Sequence, residues 1–332
     1  MNKQEMQKRI WGVLVGGACG DAMGMATEMM SRQDIAAEFP DGVKQFYPAS
    51  KRDVFGRRFR AGEITDDTIN TVLVAQMLID TGGRPDTMRY LAYLEKWMEE
   101  NKEKSSLVAG PSTVRALEAI KKGMPIERAG IFGTTNGSAM KISPIGIISD
   151  YRDMEQLTDN VEQICRPTHN TSVAIAGATV VAACVSYGVR GGGDIKELWE
   201  IVLAAVESGG RRGYPFPTVL LRRRIEAVRE LTAVKPKEMV LRELTDFYGT
   251  GVETIESIPA ALAVIQLAGG NAWEAACLSA ELGGDTDTIG AISAAICGGI
   301  RPEFPAGTAE TLESVNGLHL DELAAQLLPY AV

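Results

Sequence analysis

The 332-residue chain is 45% hydrophobic and 23% charged, the balance of a globular protein with apolar surface enough for a substantial core, which excludes a disordered or fibrous chain. Its formal charge of −9 sets aside a nucleic-acid or anionic-membrane surface, because those partners are held by clustered Lys and Arg. Five cysteines, an odd number without a CxxC pair, set aside a disulfide framework and point to a reduced, cytoplasmic compartment.

Apolar residues recur at helical spacing nearly everywhere, and no series of alternating strands with hairpin turns interrupts them, so the fold class is all-α. No linker or change of composition marks a boundary, and residues 1–332 read as a single domain. The first predicted helix covers residues 5–28. Lys8 and Arg9 precede the apolar run Ile10 to Val15 as they would in a signal peptide, but Asp21 falls within the same helix, which argues against secretion. Gly16, Gly20 and Gly24 lie four apart and predict close helix packing. The stretch lacks the Gly-Lys-Ser/Thr ending of a P-loop.

A long loop over 40–63 follows, carrying Gly42, Gly56 and Gly62. Helices are predicted over 66–81, 86–100 and 111–122, then a second loop over 130–150 containing Thr134-Thr135-Asn136-Gly137-Ser138. Loops of this length are where sites are displayed. Further helices are predicted over 154–165 and 170–188. The segment Ser172 to Val189 approaches the length of a membrane span, but its Ala, Gly, Ser and Thr content reads as a buried core helix. Cys165 and His169 lie four apart, yet Pro167 breaks the helix between them and they are not read as a nucleophile pair. The remaining helices are predicted over 194–208, 217–232, 236–247, 255–268, 271–282, 286–298 and 320–328, with Arg222-Arg223-Arg224 on a solvated helix face.

Two acidic clusters stand at predicted helix starts: Thr65-Asp66-Asp67-Thr68 and Asp285-Thr286-Asp287-Thr288. Thr65 or Asp66 can cap free N–H groups, and acidic residues suit the helix dipole. That accounts for one carboxylate and gives little reason for two in succession. Residues two apart on a helix point to different faces, so Asp285 and Asp287 converge only where the turn is just entering the helix. Gly283 and Gly284 supply a permissive backbone there. Two carboxylates about 4 Å apart repel by about 4 kcal/mol at an effective dielectric near 20, a penalty cations remove. An all-oxygen ligand set selects hard ions such as Mg²⁺ or Mn²⁺.

These clusters, together with Gly20-Asp21-Ala22-Met23-Gly24, Glu28, Asn136-Gly137-Ser138-Ala139-Met140-Lys141 and Thr168-His169-Asn170, occur in an order that resembles the ADP-ribosylglycohydrolase family from about Arg9 to Gly299. The resemblance implies one compact orthogonal helical bundle with two Mg²⁺ (or Mn²⁺) ions. It implies Thr65, Asp66, Asp67, Asp285, Asp287 and Thr288 as ligands, and Glu28, Asp66 and Asp287 as the catalytic carboxylates. Asn136, Gly137 and Ser138 match the loop against the ADP-ribose phosphates, and His169 a substrate-pocket residue. Tyr248 and Gly251 match the distal pocket more loosely. Lys141 departs from the family pattern, where many relatives carry Arg, which changes the partner that residue can take.

The activity implied is hydrolysis of ADP-ribose from an N- or O-linked acceptor, arginine-linked by preference, on a protein or a small molecule. A small ribosyl metabolite such as a nucleoside or nucleotide is the alternative substrate. A non-catalytic ADP-ribose-binding or structural role, as in some lens crystallins of this scaffold, is the alternative class.

Overall fold

A computed structural model describes residues 1–331, which form α-helices and no strand. In chain order these are α1 (Lys3–Gly24), α2 (Arg32–Glu38), α3 (Asp66–Asp80), α4 (Thr87–Glu100), α5 (Lys102–Val108), α6 (Pro111–Lys121), α7 (Ile126–Ala129), α8 (Ser143–Ile148) and α9 (Met154–Cys165). They continue with α10 (Ser172–Val189), α11 (Ile195–Gly209), α12 (Leu221–Val234), α13 (Lys237–Glu243), α14 (Thr254–Leu267), α15 (Ala272–Ala280), α16 (Thr286–Ile300), α17 (Thr308–Asn316) and α18 (Leu320–Leu327). Short 3-10 turns occupy Asn136–Ser138 and Leu328–Tyr330, and a π turn occupies Leu244–Tyr248.

Every helix expected from periodicity is present. The first ends at Gly24, earlier than its pattern suggests, and a turn over 25–30 takes its place. Five helices were not foreseen: α2, α5, α7, α8 and α17. The first three bury a single side chain each, Ile35, Ser105 and Ala129, so no apolar stripe exists to read. Only Thr308 and Leu312 are buried in α17. In α8, which lies inside the expected loop over 130–150, burial on every side leaves no periodicity.

At the centre stands α10, buried at every position after Ser172, as a core helix and not a span. It packs against α8, α9, α11, α14 and α16. Its many β-branched residues are indifferent helix formers, but each buried Val or Ile contributes about 1.5–3 kcal/mol, so burial and not propensity fixes the helix. The arginine run is solvated as expected: Arg222 pairs with Glu207 and Glu226, Arg223 with Glu226, and Arg224 donates to the Ile255 carbonyl. All five cysteines are free and buried.

The contact that positions the site is the antiparallel seam between α1 and α16. Gly12, Gly16, Gly20 and Gly24 face Gly298, Ala294, Gly290 and Thr286 in turn. A Cβ added at Gly20 would lie 2.0 Å from the Gly290 carbonyl oxygen, so the two backbones touch only because side chains are missing. This seam brings the C-terminal end of α1 to the N-terminal end of α16.

Candidate metal centre and substrate pocket

Asp21, on the last turns of α1, is fully buried. Its carboxylate accepts the backbone N–H groups of Thr65 at 2.9 Å and Thr68 at 3.0 Å, and the Thr68 hydroxyl at 2.5 Å. Asp21 therefore caps α3 from another helix. Thr65 makes no side-chain cap to its own helix, contrary to the simplest reading of its cluster; its hydroxyl donates to Asp67 Oδ2 at 3.2 Å. The carboxylates of Asp66 and Asp67 are thus released from capping duty.

The second cluster is arranged likewise. Gly283 and Gly284 adopt φ of +84° and +79°, the left-handed region where a Cβ is strained, and Asp285 stands at the N-cap with Asp287 in the first turn of α16. Asp285 makes no cap hydrogen bond; it accepts Asn136 Nδ2, and its backbone N–H donates to the Thr250 carbonyl at 2.7 Å. The two clusters meet: Thr288 Oγ1 donates to Asp67 Oδ2 at 3.4 Å. Carboxylate oxygens of Glu28, Asp285 and Asp287 lie within 4.8 Å of one another. The N-terminal ends of α3 and α16 both face this centre, where their dipoles favour negative charge.

Burial and the Asp287 charge push Asp21 up to about 6 and Asp66 up to about 8. The same causes hold Glu28, Asp67 and Asp285 well above the usual carboxylate range. Six acids, Asp21, Glu28, Asp66, Asp67, Asp285 and Asp287, converge, while the buried cations among the described residues are Arg57 and Lys141. Asp67 Oδ1 is buried without a hydrogen-bond partner. An orphaned carboxylate oxygen beside hydroxyls and further carboxylates fits a hard divalent cation, which prefers oxygen donors.

Two features were not singled out in the sequence. Asp21 sat inside a motif read for its glycines. Arg57 belongs to the loop over 40–63, and its guanidinium, enclosed between Phe55 and Phe59, donates to Glu28 at 2.5 Å and Asp53 at 2.8 Å. The charged loop sequence contained the signal, but only the fold shows which of its six basic residues turns inward.

On the substrate side, Asn136 reaches the acidic centre through Asp285. Gly137 is pressed against the His169 ring, where a Cβ would sit 2.9 Å from Cε1 and Nε2. Ser138 turns away and donates to the Ala174 carbonyl at 3.0 Å. His169 is buried with both ring nitrogens engaged, Nδ1 by Thr168 and Nε2 by Thr135. Tyr248 is half-buried, and the Gly251 N–H donates to Glu256. Cys165 holds its thiol proton, its pKa pushed up to about 12 by burial.

The model of the ADP-ribosylglycohydrolase family matches residues 2–331. The chain belongs to this family. It is 34% identical to an uncharacterized protein, YegU, of Escherichia coli over 97% of each chain, and 30% identical to an uncharacterized protein of Archaeoglobus fulgidus over 97% of this chain and 96% of the other. A solved structure of an ADP-ribosylglycohydrolase-related protein complex shares the fold, with a TM-score of 0.73 at 24% identity over 99% of this chain and 100% of that one. Membership makes the chain a hydrolase of the glycosidic type, in a family that is metal-dependent and acts on ADP-ribosylated substrates.

Proposed function

We propose that this protein hydrolyses the glycosidic bond joining the ribose of an ADP-ribosyl group to its acceptor, with two Mg²⁺ or Mn²⁺ ions held by Thr65, Asp66, Asp67, Asp285, Asp287 and Thr288. The observation that carries the reading is the meeting of the two acidic clusters through Thr288 and Asp67, with Glu28 beside Asp285 and Asp287 and with Asp67 Oδ1 buried and orphaned. Two divalent ions would offset four negative charges in a centre where Arg57 is already shared with Asp53 and Lys141 is the other buried cation.

When bound, such ions orient ribose hydroxyls and lower the pKa of a water. The protein's own groups do the rest. Cleavage at C1 passes through a cationic, sugar-like transition state that nearby carboxylates stabilise. Glu28, held by Arg57, accepts the proton of the attacking water, with Asp66 and Asp287 as the other carboxylates in reach of that role. Asn136 fixes Asp285, and Gly137 lets the loop proposed to face the substrate phosphates pack directly on the His169 ring. The family resemblance favours arginine-linked ADP-ribose among the acceptors.

Release of free ADP-ribose from ADP-ribosyl-arginine and from an O-linked ADP-ribosyl compound, and release of free base and ribose from nucleosides, are measured, each with Mg²⁺, with EDTA and with the Asp287→Ala variant. Release from either ADP-ribosyl compound that EDTA and Asp287→Ala both abolish is the expected result. Turnover of nucleosides alone, or ADP-ribose binding without turnover in Mg²⁺, overturns it.

A further inference from the structure

Lys141 is buried to 1% exposure without a carboxylate partner. Its ammonium donates to Thr168 Oγ1 at 3.4 Å and otherwise lies over the Tyr90 ring, 5.1 Å from the centroid. Desolvation lowers its pKa to about 8. A charge placed this way is costly unless it does something for its neighbours, and what it touches is one end of a hydrogen-bond chain. Thr168 Oγ1 lies 2.8 Å from His169 Nδ1, His169 Nε2 lies 3.0 Å from Thr135 Oγ1, and Thr135 Oγ1 lies 3.3 Å from Ser112 Oγ.

The direction of every bond in the chain follows from its end. An ammonium only donates, so Thr168 Oγ1 accepts from Lys141. The Thr168 hydroxyl is buried, and its remaining partner is His169 Nδ1; its proton goes there, or goes without an acceptor. Nδ1 is then the acceptor nitrogen, Nε2 carries the ring proton and donates it to Thr135, and the Thr135 hydroxyl is left to donate to Ser112. Burial, with the charges of Lys141 and Arg115, holds the imidazole well below its ordinary pKa, so a second ring proton does not disturb this order.

We propose that Lys141 is a positioning residue that, through Thr168, fixes His169 as the Nε2–H tautomer and thereby sets the direction of the Thr135 hydroxyl at the head of the Asn136 loop. This inference goes beyond the proposed reaction and holds whatever the substrate. The ring it orients packs on Gly137, and the residue after Thr135 is Asn136, which binds Asp285. The tautomer therefore bears on the backbone facing the acidic centre. In the reversed tautomer Nε2 would accept from Thr135, and the bond from the loop head to α6 would persist only with its direction reversed, Ser112 donating to Thr135.

The chain has two histidines, and His319 is exposed at the start of α18 with φ of +54°, a conformation Asn adopts readily. A His319→Asn background leaves one imidazole for long-range proton–nitrogen correlation NMR. The expected spectrum shows protonated Nε2 and bare Nδ1. Lys141→Arg, which still only donates, preserves that pattern; Lys141→Met and Thr168→Val each give mixed or reversed tautomers in a folded protein. Thr168→Val leaves the buried ammonium in place and decides the question where Lys141→Met does not fold. A wild-type His169 protonated on Nδ1, or a folded Thr168→Val protein with an unchanged spectrum, overturns the proposal.

Discussion

The carboxylate of Asp21 accepts the backbone N–H of Thr65 at 2.9 Å, so α1 supplies the cap that α3 does not make for itself. Asp21→Ala leaves the Thr65 and Thr68 donors buried without an acceptor, at about 1–3 kcal/mol per orphaned group. The variant is expected to melt several degrees lower and to bind Mg²⁺ more weakly, because Asp66 and Asp67 lose their anchor. Asp21→Asn keeps one acceptor oxygen and recovers part of the stability. Thermal melts of both, with and without Mg²⁺, make the check, and an Asp21→Ala protein that melts with the parent contradicts the cap.

The raised carboxyls give the metal-free protein an inverted pH dependence. Asp21 and Asp66 favour the protonated form in the fold, with values of about 6 and about 8. Their contribution to stability is therefore complete below the unfolded value, about 3.9, and is lost as pH rises through the folded values. Mg²⁺ binds the deprotonated carboxylates, so the stabilisation it confers grows over the same window. At 100-fold excess over Kd it amounts to about 2.7 kcal/mol. Melting in EDTA and in Mg²⁺ should give curves that diverge with rising pH; parallel curves speak against metal at these carboxylates.

The α1–α16 seam distinguishes glycines by position. Gly20→Ala drives a methyl to within 2.0 Å of the Gly290 carbonyl, and the forced separation should cost about 1–3 kcal/mol or more and weaken Mg²⁺ binding with it. Gly17→Ala meets the Ala295 methyl at 3.6 Å and the Ala291 carbonyl oxygen at 3.8 Å, both ordinary contacts. It should stabilise α1 by about 0.5–1 kcal/mol. Denaturant titrations of the pair test the seam directly, the telling result being opposite signs.

Arg57 anchors the loop over 40–63 to Glu28. Arg57→Ala frees both Glu28 and Asp53, and its expected effect on kcat/KM is a loss of about 10–100-fold, the range typical of residues that orient a ligand or catalytic carboxylate. Arg57→Lys keeps the charge but not the two-sided fork and should fall between. An Arg57→Ala enzyme of full activity would show that Glu28 holds its place unaided.

The helices with an apolar stripe and the two acidic clusters were legible in the sequence, because each is a local pattern. Gly283 and Gly284 announced the turn that aims Asp285, and Gly16, Gly20 and Gly24 announced a close contact without naming its partner. What was not legible depends on residues distant in sequence. Asp21 caps a helix it does not belong to, and Arg57 is one basic residue of six in its loop until the fold turns it inward. The end of α1 was also misplaced, since the apolar run continues through Met25 and Ala26 although the chain there has left the helix to bring Glu28 over the centre.

The pairing of α1 with α16 joins the first helix of the chain to one of its last three. Synthesis from the N-terminus therefore releases Asp21, Glu28, Asp66 and Asp67 long before Asp285 and Asp287 exist, and the long loop between them must close before any of the seam forms, a step of high contact order that slows folding. Mg²⁺ capture consequently reports a finished chain: a fragment ending before Asp285 holds four of the six acids and no partner helix, and ion uptake during refolding should follow, not precede, the docking of the two helices.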